Sequence, residues 1–100
     1  MTTEYVYDGH DKTIDLLLKA DGVAVDLSEV SRMTLEVGSA TIDSDVSGSA
    51  FDWDTGVTGK IILALGGEGL TAGAHRATLI VYDPLNTNGI VWGTFKLIVR

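Results

Sequence analysis

The chain contains no cysteine and a single proline among its 100 residues. Without cysteine it can form no disulfide, no thiolate zinc or iron–sulfur site and no cysteine nucleophile, and its redox compartment stays open. Its apolar runs, such as Ile61–Leu65, are far shorter than the roughly 20 residues of a membrane helix. No basic stretch followed by an apolar one lies near Met1, so we expect no signal peptide and synthesis in the cytoplasm.

Positive charge is also scarce. Seven lysines and arginines stand against fourteen aspartates and glutamates, which gives a formal net charge of −7. This balance opposes binding to nucleic acid or to anionic membrane surfaces. With 45% hydrophobic residues the composition is that of a globular protein, and the length suits one core. We therefore expect one domain over residues 1–100.

Glycine is abundant, and its twelve copies separate short segments rich in β-branched and apolar residues. This pattern predicts strands and turns rather than helices. The predicted strands are Glu4–Asp8, Lys12–Lys19, Val23–Val25, Arg32–Val37, Gly59–Leu65, His75–Tyr82 and Ile90–Val99. Weaker candidates are Ala40–Ile42, as a continuation of Arg32–Val37, and Ala50–Trp53. About seven short strands predict an all-β, two-layer antiparallel β-sandwich.

Two connecting segments carry local signals. Asp26 is a good helix N-cap with Glu29 three residues later, which predicts at most one helical turn over Asp26–Val30. Asp83-Pro84 and Asn88-Gly89 bracket a predicted hairpin loop between the two longest strands.

The second half of the chain has a characteristic order of segments. It runs from Gly59–Leu65 through the turn Leu70–Gly73 to Arg76–Asp83 and Gly89–Val99. This order resembles the immunoglobulin-like domains of tailed-phage structural proteins, notably the N-terminal domain of baseplate upper proteins. The earlier segment Ala20–Ser28 is similar to a hairpin of that family.

The resemblance implies an immunoglobulin-like sandwich that serves as a non-enzymatic structural component of a phage or prophage virion. Tail or baseplate is the expected location, and a head–tail connector, a head decoration protein or a chaperone-like component are the alternatives. The implied partners are other virion proteins and further copies in a homo-oligomer, with no cofactor, after synthesis in the host cytoplasm. Two features depart from the family: Asp43–Asp54 has no counterpart, and one domain stands alone.

An acidic segment has the spacing of a calcium loop. Asp43, Asp45 and Ser47 occupy relative positions 1, 3 and 5, glycine follows at 6, and Asp54 lies at 12. No amphipathic helix flanks the segment and position 12 is a short aspartate, so a solvated acidic turn is the favoured interpretation. The alternative function is a calcium-dependent binding module, for instance for carbohydrate, with Trp53 as a stacking platform.

Candidate catalytic groups are few. His10 and His75 lack the paired ligands of a zinc site, and we expect both to lie in turns or on the surface. Asp52 and Asp54 flank Trp53 on a predicted strand, but no cleft that would raise the pKa of one carboxyl is evident. The sequence therefore predicts a protein that is not an enzyme.

The last two strands suggest a contact surface. If Leu79 and Phe95 face the core, alternation places Ile80, Tyr82, Ile90 and Trp92 together on the opposite face. Aromatic and aliphatic clusters of this kind are typical of protein interfaces. The alternative is that Tyr5 and Tyr7, or a loop, cover the cluster within the monomer.

Overall fold

A computed structural model describes residues 3–11, 13–53 and 58–100. The described residues form ten strands and one short 3-10 helix, Gly48–Ala50. The strands are β1 (Thr3–Val6), β2 (Thr13–Leu17), β3 (Lys19–Ala20), β4 (Val23–Ala24), β5 (Arg32–Val37), β6 (Ala40–Asp43), β7 (Phe51–Trp53), β8 (Lys60–Ala64), β9 (Gly73–Asp83) and β10 (Asn86–Val99). In this part of the chain no helix is long and apolar enough to cross a membrane.

The strands are arranged in two main sheets and a separate hairpin of β3 and β4. The larger sheet has the order β1-β10-β9-β5-β6, and the smaller has the order β2-β8-β7. Side chains from both sheets form one buried cluster, which includes Leu35, Leu79 and Leu97 from the larger sheet and Ile61 and Leu63 from the smaller. The expected all-β sandwich is confirmed.

The order of the strands corresponds to that of immunoglobulin folds. Strands β2, β8 and β7 take the places of strands B, E and D, and β10, β9, β5 and β6 take those of G, F, C and C′. One pairing departs from the antiparallel expectation: β1 runs parallel to β10, with Thr3 opposite Lys96 and Val6 opposite Val99.

The predicted faces of β5 and of the end of β10 are confirmed. Met33, Leu35 and Val37 are buried, and so are Phe95, Leu97 and Val99 at the end of β10. Alternation places successive side chains on opposite faces, and the core takes the apolar set.

One of two local expectations for the first half is wrong. Ala40–Ile42 does not continue β5, because the chain reverses at Gly38 and Val37 pairs with Ala40 in an antiparallel hairpin. Asp26–Val30 forms one hydrogen-bonded turn and no helix beyond it, in agreement with the prediction of at most one turn. Val30 N–H donates to the Leu27 carbonyl, and the Asp26 carboxylate accepts a hydrogen bond from the Ser28 N–H. A carboxylate that bonds its own backbone two residues on stabilises a turn as readily as a helix start.

The connection between β9 and β10 is shorter than the predicted loop. Only Pro84 and Leu85 link the strands, because Asp83 Oδ1 accepts hydrogen bonds from the N–H groups of Leu85 and Asn86, at 2.9 and 2.8 Å. The residues after this turn are irregular: Asn86 pairs with Asp83, but the next paired residue, Ile90, lies opposite Val81. The predicted loop is therefore a tight turn followed by a bulged strand.

Candidate functional site

Trp92 lies in a β-bulge of β10. Val91 pairs with Ile80 and Gly93 pairs with Leu79, so Trp92 has no partner across the ladder. One extra residue in a strand reverses the alternation of all side chains beyond it. Trp92 is half-buried and packs against the core, so the prediction that it points outward is wrong.

The predicted contact cluster is divided by the same bulge. Ile90 lies opposite Val81, a buried residue, whereas Ile80 lies opposite the exposed Val91. Cross-strand neighbours share a face. Ile80, Tyr82, Ile90 and Trp92 therefore do not form one outward surface, and the sequence expectation is wrong on this point.

The chain covers Ile80 and Tyr82 itself. A Cβ atom added to Gly89 would lie 2.5 Å from Ile80 Cγ2 and 2.8 Å from Tyr82 Cε2. The bulged segment between Asn86 and Ile90 therefore rests directly on both side chains. The Arg32 guanidinium carbon stands 4.5 Å from the centre of the Tyr82 ring. The Tyr82 hydroxyl lies 3.3 Å from Thr34 Oγ1, within hydrogen-bond distance. These contacts match the alternative in which a loop of the same monomer covers the residues.

The acidic segment is bound to strand β5. Arg32 Nε donates to Asp43 Oδ1 at 3.0 Å and Nη2 donates to Oδ2 at 2.7 Å. Asp45 N–H also donates to Asp43 Oδ1, and Met33 N–H donates to Ser44 Oγ. The Arg32 hydrogen bonds, with that from the Asp45 backbone, hold the pKa of the Asp43 carboxyl below its usual range.

This arrangement is poorly suited to calcium. Asp45 Oδ2 lies 3.7 Å from Arg32 Nε, so a calcium ion at Asp43 and Asp45 would have to displace a guanidinium. The Ser47 N–H donates to the Asp43 carbonyl, and Asp54 lies outside the described residues. Within residues 3–11, 13–53 and 58–100, no group of three or more His, Asp or Glu side chains is placed to hold a metal ion.

The remaining candidate residues are dispersed. His10 is exposed after β1, and His75 Nε2 lies 2.7 Å from the Thr71 carbonyl oxygen, to which it donates. Asp52 is exposed on β7, and its sequence partner Asp54 lies outside the described residues. Among the described candidates, the structure therefore does not bring His10, His75 and Asp52 into one site.

An apolar groove was not predicted from the sequence. It has a volume of about 310 Å³ and lies between the outer strand of the smaller sheet and the β1–β10 side of the larger sheet. The described residues that line it are Glu4, Asp15, Leu16, Leu17, Leu18, Leu79, Trp92, Gly93, Thr94 and Phe95. Leu16, Leu18 and Trp92 pack on the core from its floor, while Leu17 is 64% exposed.

Two strand edges form the walls of this groove. Four consecutive residues of one strand, Trp92–Phe95, and the consecutive residues 15–18 line it. Because alternate side chains of a strand point to opposite faces, a consecutive run can line a cavity only if the backbone edge faces it. In the sequence, the one local signal near the groove is Gly93, which follows Trp92 at the β-bulge.

No protein-family model matches the chain, and no curated protein shows significant similarity to it.

Proposed function

We propose that the chain is a non-enzymatic structural component of a phage or prophage virion, in the tail or baseplate, that acts through protein–protein contacts. The observation that carries the proposal is the strand order, in which β10, β9, β5 and β6 face β2, β8 and β7. The segments with the family-like order are strands β8, β9 and β10, so the resemblance extends over the central strands of both sheets.

The groove beside Trp92 supports a role in protein binding. A half-buried tryptophan next to exposed Leu17 offers apolar area that a partner can remove from water. Partners in this proposal are other virion proteins and neighbouring copies in the assembled particle. The site of action is the virion, after synthesis in the host cytoplasm.

The calcium-dependent alternative has less support. It requires Asp43 and Asp45 to coordinate an ion, whereas Arg32 already binds both carboxylate oxygens of Asp43. A cation would have to break two charge-assisted hydrogen bonds before it bound.

Imaging of particles tests the proposal. Particles are assembled with and without the chain, purified on a density gradient, imaged by negative stain and probed with an antibody against the chain. We expect the chain to sediment with nuclease-resistant particles, and particles without it to lack part of the tail. A chain that stays in the low-mass fraction, with unaltered particles in its absence, would contradict the proposal.

A further inference from the structure

Among the described residues, most of β10 has no partner strand on the side away from β9. The described pairing of β1 with β10 runs from Lys96 to Val99, although β10 begins at Asn86. In the described part of the chain no strand pairs with Trp92–Phe95 on that side. Unpaired strand edges present N–H and C=O groups to which another strand can add.

The backbone of Thr94 points toward this open edge. The Arg100 N–H donates to the Val6 carbonyl, and the Arg100 carbonyl accepts from the Asp8 N–H, so the peptide groups of Arg100 face β1. Register is continuous from Gly93 to Val99, and peptide groups alternate between the two sides of a strand. The N–H and C=O of Thr94 therefore face the groove.

The opposite wall is the outer edge of the smaller sheet. Strand β2 pairs with β8 on one side, and no described strand pairs with its other side. Between this edge and β10 lies the apolar floor of Leu16, Leu18 and Trp92. An extended chain laid in the groove can thus pair its backbone at the wall and point every second side chain to the floor.

We propose that this groove binds an extended β-strand of another protein, paired with β10 at Thr94. The strand has apolar side chains at alternate positions toward Trp92 and basic side chains at its ends. At about 3.3 Å per residue, the four lining residues of β10 correspond to a bound segment of about four to six residues. This inference rests on the proposed function in one respect: both take the partner of the chain to be a protein.

Charge favours a basic occupant. Among the described residues that line the groove, the charged ones are Glu4 and Asp15, and both are acidic. A basic strand is attracted to this rim, whereas a second copy of this chain brings a further formal charge of −7. A basic partner strand is therefore favoured over self-association at this site.

A peptide titration followed by amide NMR tests the proposal. The probe is a short synthetic peptide in which valine or isoleucine alternates with threonine and both ends carry lysine. We expect saturable shifts of residues 15–18 and Trp92–Phe95 below about 1 mM peptide, and at least about tenfold weaker binding when glutamate replaces the lysines.

Two pairs of variants separate strand pairing from simple apolar contact. Thr94→Pro removes the N–H that faces the groove, and Thr94→Val keeps it, so only Thr94→Pro should weaken binding by about tenfold or more. Leu17→Lys removes apolar surface and places on the rim a charge that repels the lysine-ended peptide, and Leu85→Lys places the same charge in the β9–β10 turn at a residue that is 94% exposed. Only Leu17→Lys should weaken binding, and this pair decides the result if Thr94→Pro does not fold.

Several outcomes overturn the proposal. Absence of saturable shifts at about 1 mM peptide, or shifts confined to residues outside the groove, would show that the site does not accept such a strand. Equal binding by folded Thr94→Pro would exclude backbone pairing. Shifts of the groove residues with chain concentration alone would show that a second copy is the occupant. If the antibody finds no chain in purified particles that were assembled in its presence, the virion proposal is overturned, but a positive peptide result still stands.

Discussion

The guanidinium of Arg32 and the carboxylate of Asp43 form a two-pronged ion pair between strands β5 and β6, with N–O distances of 3.0 and 2.7 Å. The same guanidinium lies over the Tyr82 ring. One cation thus joins the acidic turn to the outer face of the larger sheet, whereas the sequence favours a solvated acidic turn.

The ion pair predicts a dependence of stability on acid. The pKa of Asp43 is lowered in the folded chain, so the unfolded chain takes up its proton first as the pH falls. The stabilisation is complete above the unfolded value of about 3.9 and is lost as the pH falls through the lower folded value. Asp43→Asn should lower the urea midpoint at pH 7, and its difference from wild type should shrink below about pH 4.

The control for this prediction is Asp52→Asn, which removes an exposed carboxylate of β7 and leaves the Arg32–Asp43 pair in place. Asp52→Asn should lose stability in acid to the same extent as the wild-type chain. A difference between Asp43→Asn and wild type that stays constant to about pH 2 would show that the pair does not stabilise the fold.

Calcium should leave the acidic turn unchanged. Because Arg32 binds both oxygens of Asp43, micromolar calcium should cause no saturable shift in the amide NMR signals of residues 43–47. Magnesium at the same ionic strength is the control for screening by salt. Saturable movement with calcium alone would revive the calcium-dependent binding module.

The bulge predicts that Trp92 contributes to stability. Its half-buried ring packs on the core, so Trp92→Ala should cost about 1–3 kcal/mol of unfolding free energy. Phe95→Ala, at a buried position, should cost about 3–5 kcal/mol, and Val91→Ala, at an exposed one, about 0.5 kcal/mol or less. Thermal and urea unfolding of the three variants measures the order. An unchanged melting temperature for Trp92→Ala would show that the ring does not pack on the core.

Gly89 should not tolerate a side chain. Its φ of +86° is unfavourable for other residues, and an added Cβ would meet Ile80 Cγ2 at 2.5 Å. Gly89→Ala should therefore cost roughly 1–3 kcal/mol in urea unfolding. Gly22→Ala is the matched control, because its φ of +78° is similar and nothing lies within 4 Å of its Cβ position. Equal stability of the two variants would show that the bulged segment does not rest on Ile80 and Tyr82.

Local alternation by itself determined much of the fold. In β5 and at the end of β10, the apolar residues Met33, Leu35, Phe95 and Leu97 recur at every second position, and each is buried. Side-chain alternation is a property of the single strand, so one sequence suffices to assign the face. Turn residues and strand spacing likewise sufficed to predict an all-β sandwich.

Tertiary structure decided the candidate site. Trp92 is an extra residue in the pairing of β10 with β9. Because of it, the side chains of β10 before the bulge lie on the opposite face from the one that simple alternation predicts. The parallel pairing of β1 and the contact of Arg32 with Asp43, eleven positions away, depend on which strands become neighbours. The groove lies between edges of β2 and β10 that no described strand pairs with, where the two sheets meet, and no local sequence pattern specifies that contact.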